Sequence, residues 1–486
     1  MDGKGICETS IAMAVVQRAN GNRQEAVALY HKALEADASS VEAWVGLALC
    51  QEELGNKDAA RDALLHCLKQ RPQTAYAHHR LGFLAYQQKH FTEALPHYQQ
   101  AMHFAQGWYE PRYHAAACCQ ELRRYAEALV FYQQALERKA DSPALWYHYA
   151  KALKDAGQLD SALQAYQHAL MLKPDYADAQ YSRGLLHLLR GDWLAGWPDY
   201  ELRWQGSDRA AVEHRPVTTL PQWQGEDVLP DSGIVVYAEQ GMGDSIQCFR
   251  YVEWLRERFA RVKFCAPAPL VTLFQANATP ELTIEPRIKT ATDEAGYTNY
   301  IHSLSLPGVF KTTPTHLPAA PYLAPPKERM AYWQQRLTNE ARPKVGVVWM
   351  GGKLSHAPAR DMDFAYLMPL LVLQGICWMS LQKDEKAPAG IPMTDWMSEV
   401  MDFADTAALI ASLDMIIAVD TSVAHLAGAL GKPVWLLNRF ESEWRWMRGR
   451  ETTPWYPSMR IFNQPAPGDW AGVIQQVKSE ICKCLL

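Results

Sequence analysis

The chain has 486 residues, too many for one hydrophobic core, so two to four domains are expected. Hydrophobic residues at 48% and charged residues at 21% describe a globular chain and exclude a disordered or fibrous one. A net charge of -5 argues against nucleic-acid binding, and no apolar run reaches the ~18 residues of a transmembrane helix.

The first two hundred residues repeat with a period of 34. Units starting at Cys7, Val41, Ala75, Tyr109, Pro143 and Ala177 align without an insertion. The eighth position reads Ala14, Ala48, Gly82, Ala116, Ala150 and Gly184; the twentieth reads Ala26, Ala60, Ala94, Ala128, Ala162 and Gly196. The twenty-fourth reads Tyr30, Leu64, Tyr98, Tyr132, Tyr166 and Tyr200. Small residues let two helices of a unit approach, and the large ring fills the gap to the next unit. Gly55, Gly157 and Gly191 share the fifteenth position, where the turn between helices needs a permissive backbone. The pattern resembles the tetratricopeptide repeat, which predicts an all-α solenoid over residues 7–204. Its first helices would build a concave face presenting His79, Tyr113, Tyr147 and Tyr181 at the fifth position. Such rings suit a peptide groove, and they equally suit packing between units; both readings stay open.

The sixth unit ends atypically, with Trp193, Trp197 and Trp204, as a terminal repeat must when it meets a different domain. Residues near 205–230 read as the crossing. Beyond Ser232, the runs GIVVYAEQ, RVKFCAP, KVGVVWMGG, GICWMSLQK, MIIAVD and KPVWLLN read as buried parallel strands. Helices such as 245–259 and 362–373 lie between them. Alternation of this kind predicts two doubly wound lobes, 205–330 and 331–486, with ligands at the carboxyl ends of strands.

Two stretches stand at such ends. The first is Gly241-Met242-Gly243-Asp244, a glycine turn that opens a helix on a carboxylate. The second is Asp420-Thr421-Ser422-Val423-Ala424-His425, a hydroxyl-rich helix start whose backbone N–H groups suit a phosphate. Each is also readable as a plain helix cap. Their combination, with SLP, PYL, SLQK, WRWMRGR…PWYPSMRIF and GDW in order, resembles the bacterial heptosyltransferase-like glycosyltransferases of GT-B fold. The resemblance covers residues 180–475 and implies inverting sugar transfer from a nucleotide sugar, with no metal and no other cofactor. It implies Asp244 as general base and Gly241, Gly243, Asp420, Thr421, Ser422 and His425 around the donor. Gln382 and Lys383, ending a strand, are expected near the nucleotide.

The chain departs from the family after KVGVVWMGG. Its loop is short, and Arg360 precedes Asp361 where the family carries Arg-Ser. Lys353 and Arg360 remain as cations for the leaving diphosphate, and they read equally as solvated loop charges. Asp361-Met362-Asp363 mimics a metal-binding Asp-x-Asp but opens a helix and reads as two caps. The cluster Trp444, Arg445, Trp446, Arg448, Trp455 and Tyr456 reads as a ligand wall or as a buried rim closing onto the first lobe. The opening MDGKGICETS carries no apolar signal core, and the ten cysteines show no Cys-x-x-Cys framework, so a cytoplasmic location is expected. The pairing of repeats with a transferase implies a protein acceptor at Ser or Thr, such as a bacterial flagellar or surface protein. A glycan-directed transferase and a non-catalytic scaffold are the alternatives.

Overall fold

The computed structural model describes residues 2–206, 217–288, 294–351 and 360–485. The chain divides into two compact units, Met1–Tyr176 and Ala177–Leu486. Sequence expectation put the end of the solenoid at 204, whereas the sixth helical pair is grouped with the second unit.

The first unit holds ten helices in five pairs, from Gly3–Ala19 with Arg23–Ala36 to Pro143–Asp155 with Leu159–Leu172. The small eighth and twentieth residues are buried, and Tyr30, Leu64, Tyr98, Tyr132 and Tyr166 are buried beside them. A Cβ on Gly46 would stand 2.2 Å from the Tyr30 ring, so that ring fits only because the facing helix carries glycine. The fifteenth position is left-handed in every unit: Gly21, Gly55, Gly157 and Gly191, but also Lys89 (φ 62°) and Arg123 (φ 58°). Trp44 and Trp146, equivalent residues three pairs apart, stack on His66 and His168 at 4.7 and 4.6 Å. His79, expected on the open face, is 7% exposed and packs among Tyr98, Trp108 and His114. It belongs to the seam between units because Trp108 and His114 close over it. Tyr113 and Tyr147 are half-buried and also meet rings, His148 at 5.3 Å and Tyr176 at 5.3 Å.

The second unit starts with the sixth pair, Ala177–Arg190 and Trp193–Tyr200. Tyr181 here meets Tyr200 at 5.8 Å. A parallel sheet of four strands follows: β1 (Gly233–Tyr237), β2 (Arg261–Ala266), β3 (Leu282–Pro286) and β4 (Asn299–His302), in the order β3-β2-β1-β4. A seven-stranded sheet is built from β5 (Lys344–Val348), β6 (Cys377–Ser380), β7 (Met393–Asp395), β8 (Met415–Val419), β9 (Val434–Asn438), β10 (Thr452–Thr453) and β11 (Tyr456–Asn463). Its order is β10-β11-β9-β8-β5-β6-β7, antiparallel only between β10 and β11. All six strands expected from the sequence are present, and β1, β8 and β9 are buried along their whole length. Helix Trp470–Cys484 packs Val473, Ile474, Val477 and Ile481 into the core of the larger sheet, with Val345, Val347 and Trp435.

Two expected helices are broken. The one expected over 245–259 is Met242–Phe249 followed by Val252–Arg256. Arg250 sits at the break, its Nη2 donating to the carbonyl of Trp455 at 2.6 Å. The one expected over 362–373 is a 3-10 turn, Phe364–Leu367, running into Met368–Leu371, whose second residue Pro369 supplies no N–H. Among the described residues, no helix is long and apolar enough to cross a membrane.

Candidate active site

The site is built where β1 and β8 end. After β1 the chain passes Glu239, which is buried, and Gln240, at φ 54°. Glu239 accepts from Arg203 Nε and Nη2 at 3.0 and 2.9 Å and from the Leu304 N–H at 2.9 Å. Burial works against the Arg203 charge, and the carboxylates of Glu239 and Glu201 more than offset it, pushing the guanidinium up. The turn that presents the next residues is therefore anchored by an ion pair from the end of the sixth helical pair.

Gly241 caps helix Met242–Phe249, and its N–H donates to Asp244 Oδ2 at 2.8 Å. So Asp244 is the cap that the sequence allowed, and its Oδ1 faces away from the turn toward another partner. That partner is Arg445, whose Nη2 donates to Oδ1 at 2.5 Å. Gly243 is required by what faces it. A Cβ there would stand 2.8 Å from Cδ2 of His425, on the helix that follows β8.

That helix, Ser422–Ala429, begins at Thr421. Asp420 and Thr421 are each 9% exposed, and Thr421 Oγ1 has no hydrogen-bond partner among the described residues. A buried hydroxyl left without a partner beside free helix N–H groups is unusual in a folded core and fits an incoming acceptor-rich group. Ser422 occupies the first helical position. His425, one turn in, is buried, with Nδ1 2.9 Å from the Tyr456 hydroxyl and its ring 5.0 Å from Trp446. Burial, and then the charges of Arg445, Arg250 and Arg360, hold its imidazole well below the usual range, so the ring is neutral.

Arg445 joins the two lobes. Its Nε donates to Gln247 Oε1 at 2.5 Å, three residues beyond Asp244 on the same helix, and its Nη1 pairs with Glu443. Burial pushes Glu443 up to about 7 against the pull of Arg445, with Asp420 and Asp244 adding to the rise. Arg250 stands over the rings of Tyr322, Trp455 and Tyr456 at 4.8, 5.2 and 5.1 Å. The aromatic cluster is thus the buried rim: Trp444, Trp446, Trp455 and Tyr456 are all buried, and Trp455 stacks on Trp193 at 4.8 Å.

The remaining expected residues fall differently. Arg360 lies against Gly351, where a Cβ would stand 3.1 Å from its Nε. Lys353 lies outside the described residues. Gln382 Oε1 accepts from the N–H groups of Trp349 and Met350 at 3.3 and 3.1 Å. Lys383 Nζ donates to the carbonyls of Met397 and Val400. Both side chains fasten loops at the carboxyl edge of the sheet; Gln382 is buried there and Lys383 is exposed. Asp363 caps the 3-10 turn by accepting from the Ala365 N–H at 2.8 Å, whereas Asp361, expected as a second cap, accepts from the N–H of Gly351, ten residues upstream, at 2.7 Å and ties the loop after β5 instead. Glu443 and Arg250 were not singled out in the sequence. Gln247 had a locatable signal, the spacing of three from Asp244, and Tyr322 stands within PYL.

Tetratricopeptide-repeat profiles match residues 17–81 and 150–191, and the profile described as glycosyltransferase family 9 (heptosyltransferase) matches residues 393–463. The last segment contains Asp420, Thr421, His425, Glu443 and Arg445, while Asp244 lies outside it. Protein FlbA of Caulobacter vibrioides is 28% identical over 340 residues, covering 63% of this chain. The chain spans 55% of the length of that relative. Solved structures similar to it include YrrB, a tetratricopeptide-repeat protein with an unusual peptide-binding site, at 22% identity and TM-score 0.34, covering 36% of this chain and 91% of that one. Pseudomonas aeruginosa PilF matches at 18% identity and TM-score 0.37, covering 42% and 92%. The chain joins tetratricopeptide repeats in its N-terminal region to a glycosyltransferase family 9 (heptosyltransferase) domain in its C-terminal region.

Proposed function

We propose that this chain is an inverting glycosyltransferase that moves a sugar from a nucleotide sugar to a Ser or Thr hydroxyl of a protein recruited by its repeats, such as a bacterial flagellar or surface protein. The observation that carries the reading is the convergence of the Asp244 turn with the Thr421–His425 helix start, close enough that only glycine fits at 243. Inverting transfer needs a base on the acceptor hydroxyl and positive potential on the departing phosphate. Asp244 supplies the first. The N–H groups and hydroxyls at Thr421 and Ser422 supply part of the second, with neutral His425 filling the floor. Protein cations take the charge that a metal ion takes in other transferases, and no step requires a cofactor.

The test begins with thermal melting of the chain against a panel of nucleotides and nucleotide sugars, since a ligand that binds only the folded state raises the melting temperature. One nucleotide is expected to shift it and so name the donor. With that donor and acceptor proteins, Asp244→Asn is expected to lower transfer about 10²–10⁴-fold while nucleotide binding persists. A chain that no nucleotide stabilises is a scaffold, and transfer to glycans alone would move the acceptor class away from protein.

A further inference from the structure

Both oxygens of the carboxylate assigned as base are engaged. Asp244 Oδ2 accepts the Gly241 N–H, which belongs to the helix cap, and Oδ1 accepts from Arg445 Nη2. Each oxygen therefore spends one of its two lone-pair sites, and Oδ1 is shared with a cation that an acceptor hydroxyl would have to meet. Arg445 is 7% exposed and held on three sides: Gln247 takes Nε, Glu443 takes Nη1, and only Nη2 goes to Asp244. Its side chain also lies over the Trp444 ring at 4.3 Å, while its neighbour Trp446 touches His425. Thus one guanidinium faces the base, and its charge also acts on His425, one turn into the helix that begins at Thr421, whose Oγ1 is buried without a partner among the described residues. The partners on Nε and Nη1 keep the group tethered whichever way Nη2 points.

We propose that Arg445 is shared between Asp244 and the donor diphosphate: Nη2 leaves Asp244 when the diphosphate arrives, which neutralises the leaving group and uncovers the base in one movement. The inference rests on the function proposed above and names the cation of that site. In the transfer step, the acceptor O–H proton passes to Asp244 Oδ1 and the acceptor oxygen bonds to the anomeric carbon. The bond from that carbon to the phosphate oxygen breaks, and its electron pair stays on the diphosphate facing Arg445. Donor binding therefore precedes productive acceptor binding, because without donor the base remains covered.

Sharing has a consequence that a merely structural ion pair lacks: Asp244 and the diphosphate compete for one cation. Binding of ADP, CDP, GDP and UDP, and of the corresponding nucleosides, is measured by titration calorimetry on the full chain. For the diphosphate that binds, Arg445→Met is expected to weaken affinity at least about tenfold, with the nucleoside little changed. Asp244→Asn is expected to tighten the diphosphate by about fivefold or more, and that gain is expected to vanish in the Asp244→Asn/Arg445→Met double variant. Arg445→Lys, which keeps the charge without the planar fork, guards against a folding artefact, since it retains part of the affinity. Unchanged or weaker diphosphate binding in Asp244→Asn overturns the sharing, as does a gain that survives loss of Arg445. If none of the four diphosphates binds the unsubstituted chain, this inference falls, and the proposed function falls with it only where no nucleotide of the melting panel binds either.

Discussion

Gly243 is the residue on which the candidate site closes. Its missing side chain admits the His425 ring, so Gly243→Ala must displace either the glycine turn or the helix that carries His425. Overpacking of this kind costs about 1–3 kcal/mol. The expected outcome is a lower melting temperature together with loss of nucleotide stabilisation; an alanine variant that binds normally would show that the two elements have slack. The sequence made the turn and the Asp420–His425 stretch visible because each is a contiguous pattern at a strand end. Arg445 was visible only as a charge in an aromatic cluster. Its partner Asp244 is 201 residues away, and a pairing over that distance leaves no periodicity or spacing to read. Gln382 and Lys383 show the opposite case. Their place at the end of β6 was legible, but which backbone groups would claim their side chains was not, since loops 349–350 and 397–400 have no sequence register with them.

At the scale of elements, the repeat was legible because one 34-residue pattern states the same packing rule several times. Its imperfections are where stability is adjustable. Lys89 and Arg123 hold left-handed backbone that glycine holds in the other units, at a cost of about 1 kcal/mol each. Lys89→Gly and Arg123→Gly are each expected to raise stability by up to about 1 kcal/mol, less the entropy glycine adds to the unfolded chain, as read by denaturant titration. His79 carries a pH effect. Burial, with His114 nearby, holds its imidazole down at about 3, and burial with Arg80 nearby holds that of His114 at about 4. Folded-state values lie below the unfolded one, so the unfolded chain takes up protons that the folded chain refuses. The stability these rings permit is therefore full above about pH 6.5 and is lost as pH falls from there toward 4 and 3. Melting of the helical array is expected to drop between pH 7 and pH 5, and His79→Phe is expected to reduce that drop. An equal drop in the variant would put the acid sensitivity elsewhere. The broken helices mark the limit of periodicity: apolar spacing continued through Arg250, but an arginine drawn to the Trp455 carbonyl ended the helix there.

At the scale of the whole molecule, the sixth helical pair reads as repeat in sequence and functions as foundation in structure. Trp197 Nε1 donates to the Thr312 carbonyl at 2.8 Å, Trp193 stacks on Trp455, and Arg203 buries its charge against Glu239, directly before the turn that holds Asp244. Arg203→Met would leave Glu239 buried without its cation, a loss of about 3–5 kcal/mol. The expected result is a large fall in melting temperature, partly restored by adding Glu239→Gln, which removes the stranded charge; no restoration would mean that the pair acts through packing alone. The atypical tryptophans announced that this unit meets another domain, yet they did not reveal how deep the meeting runs, because its partners lie on loops from both sheets.

That foundation relocates the seam at which the molecule is modular. The chain passes from one unit to the other at Tyr176–Ala177, a turn between repeats, not at the last repeat residue. A chimera joined there inherits a foreign array of five pairs while keeping every contact of Trp193, Trp197 and Arg203. One joined near residue 204 discards the support of the Asp244 turn along with the repeats. Portability of the helical array is set by leaving the final repeat behind.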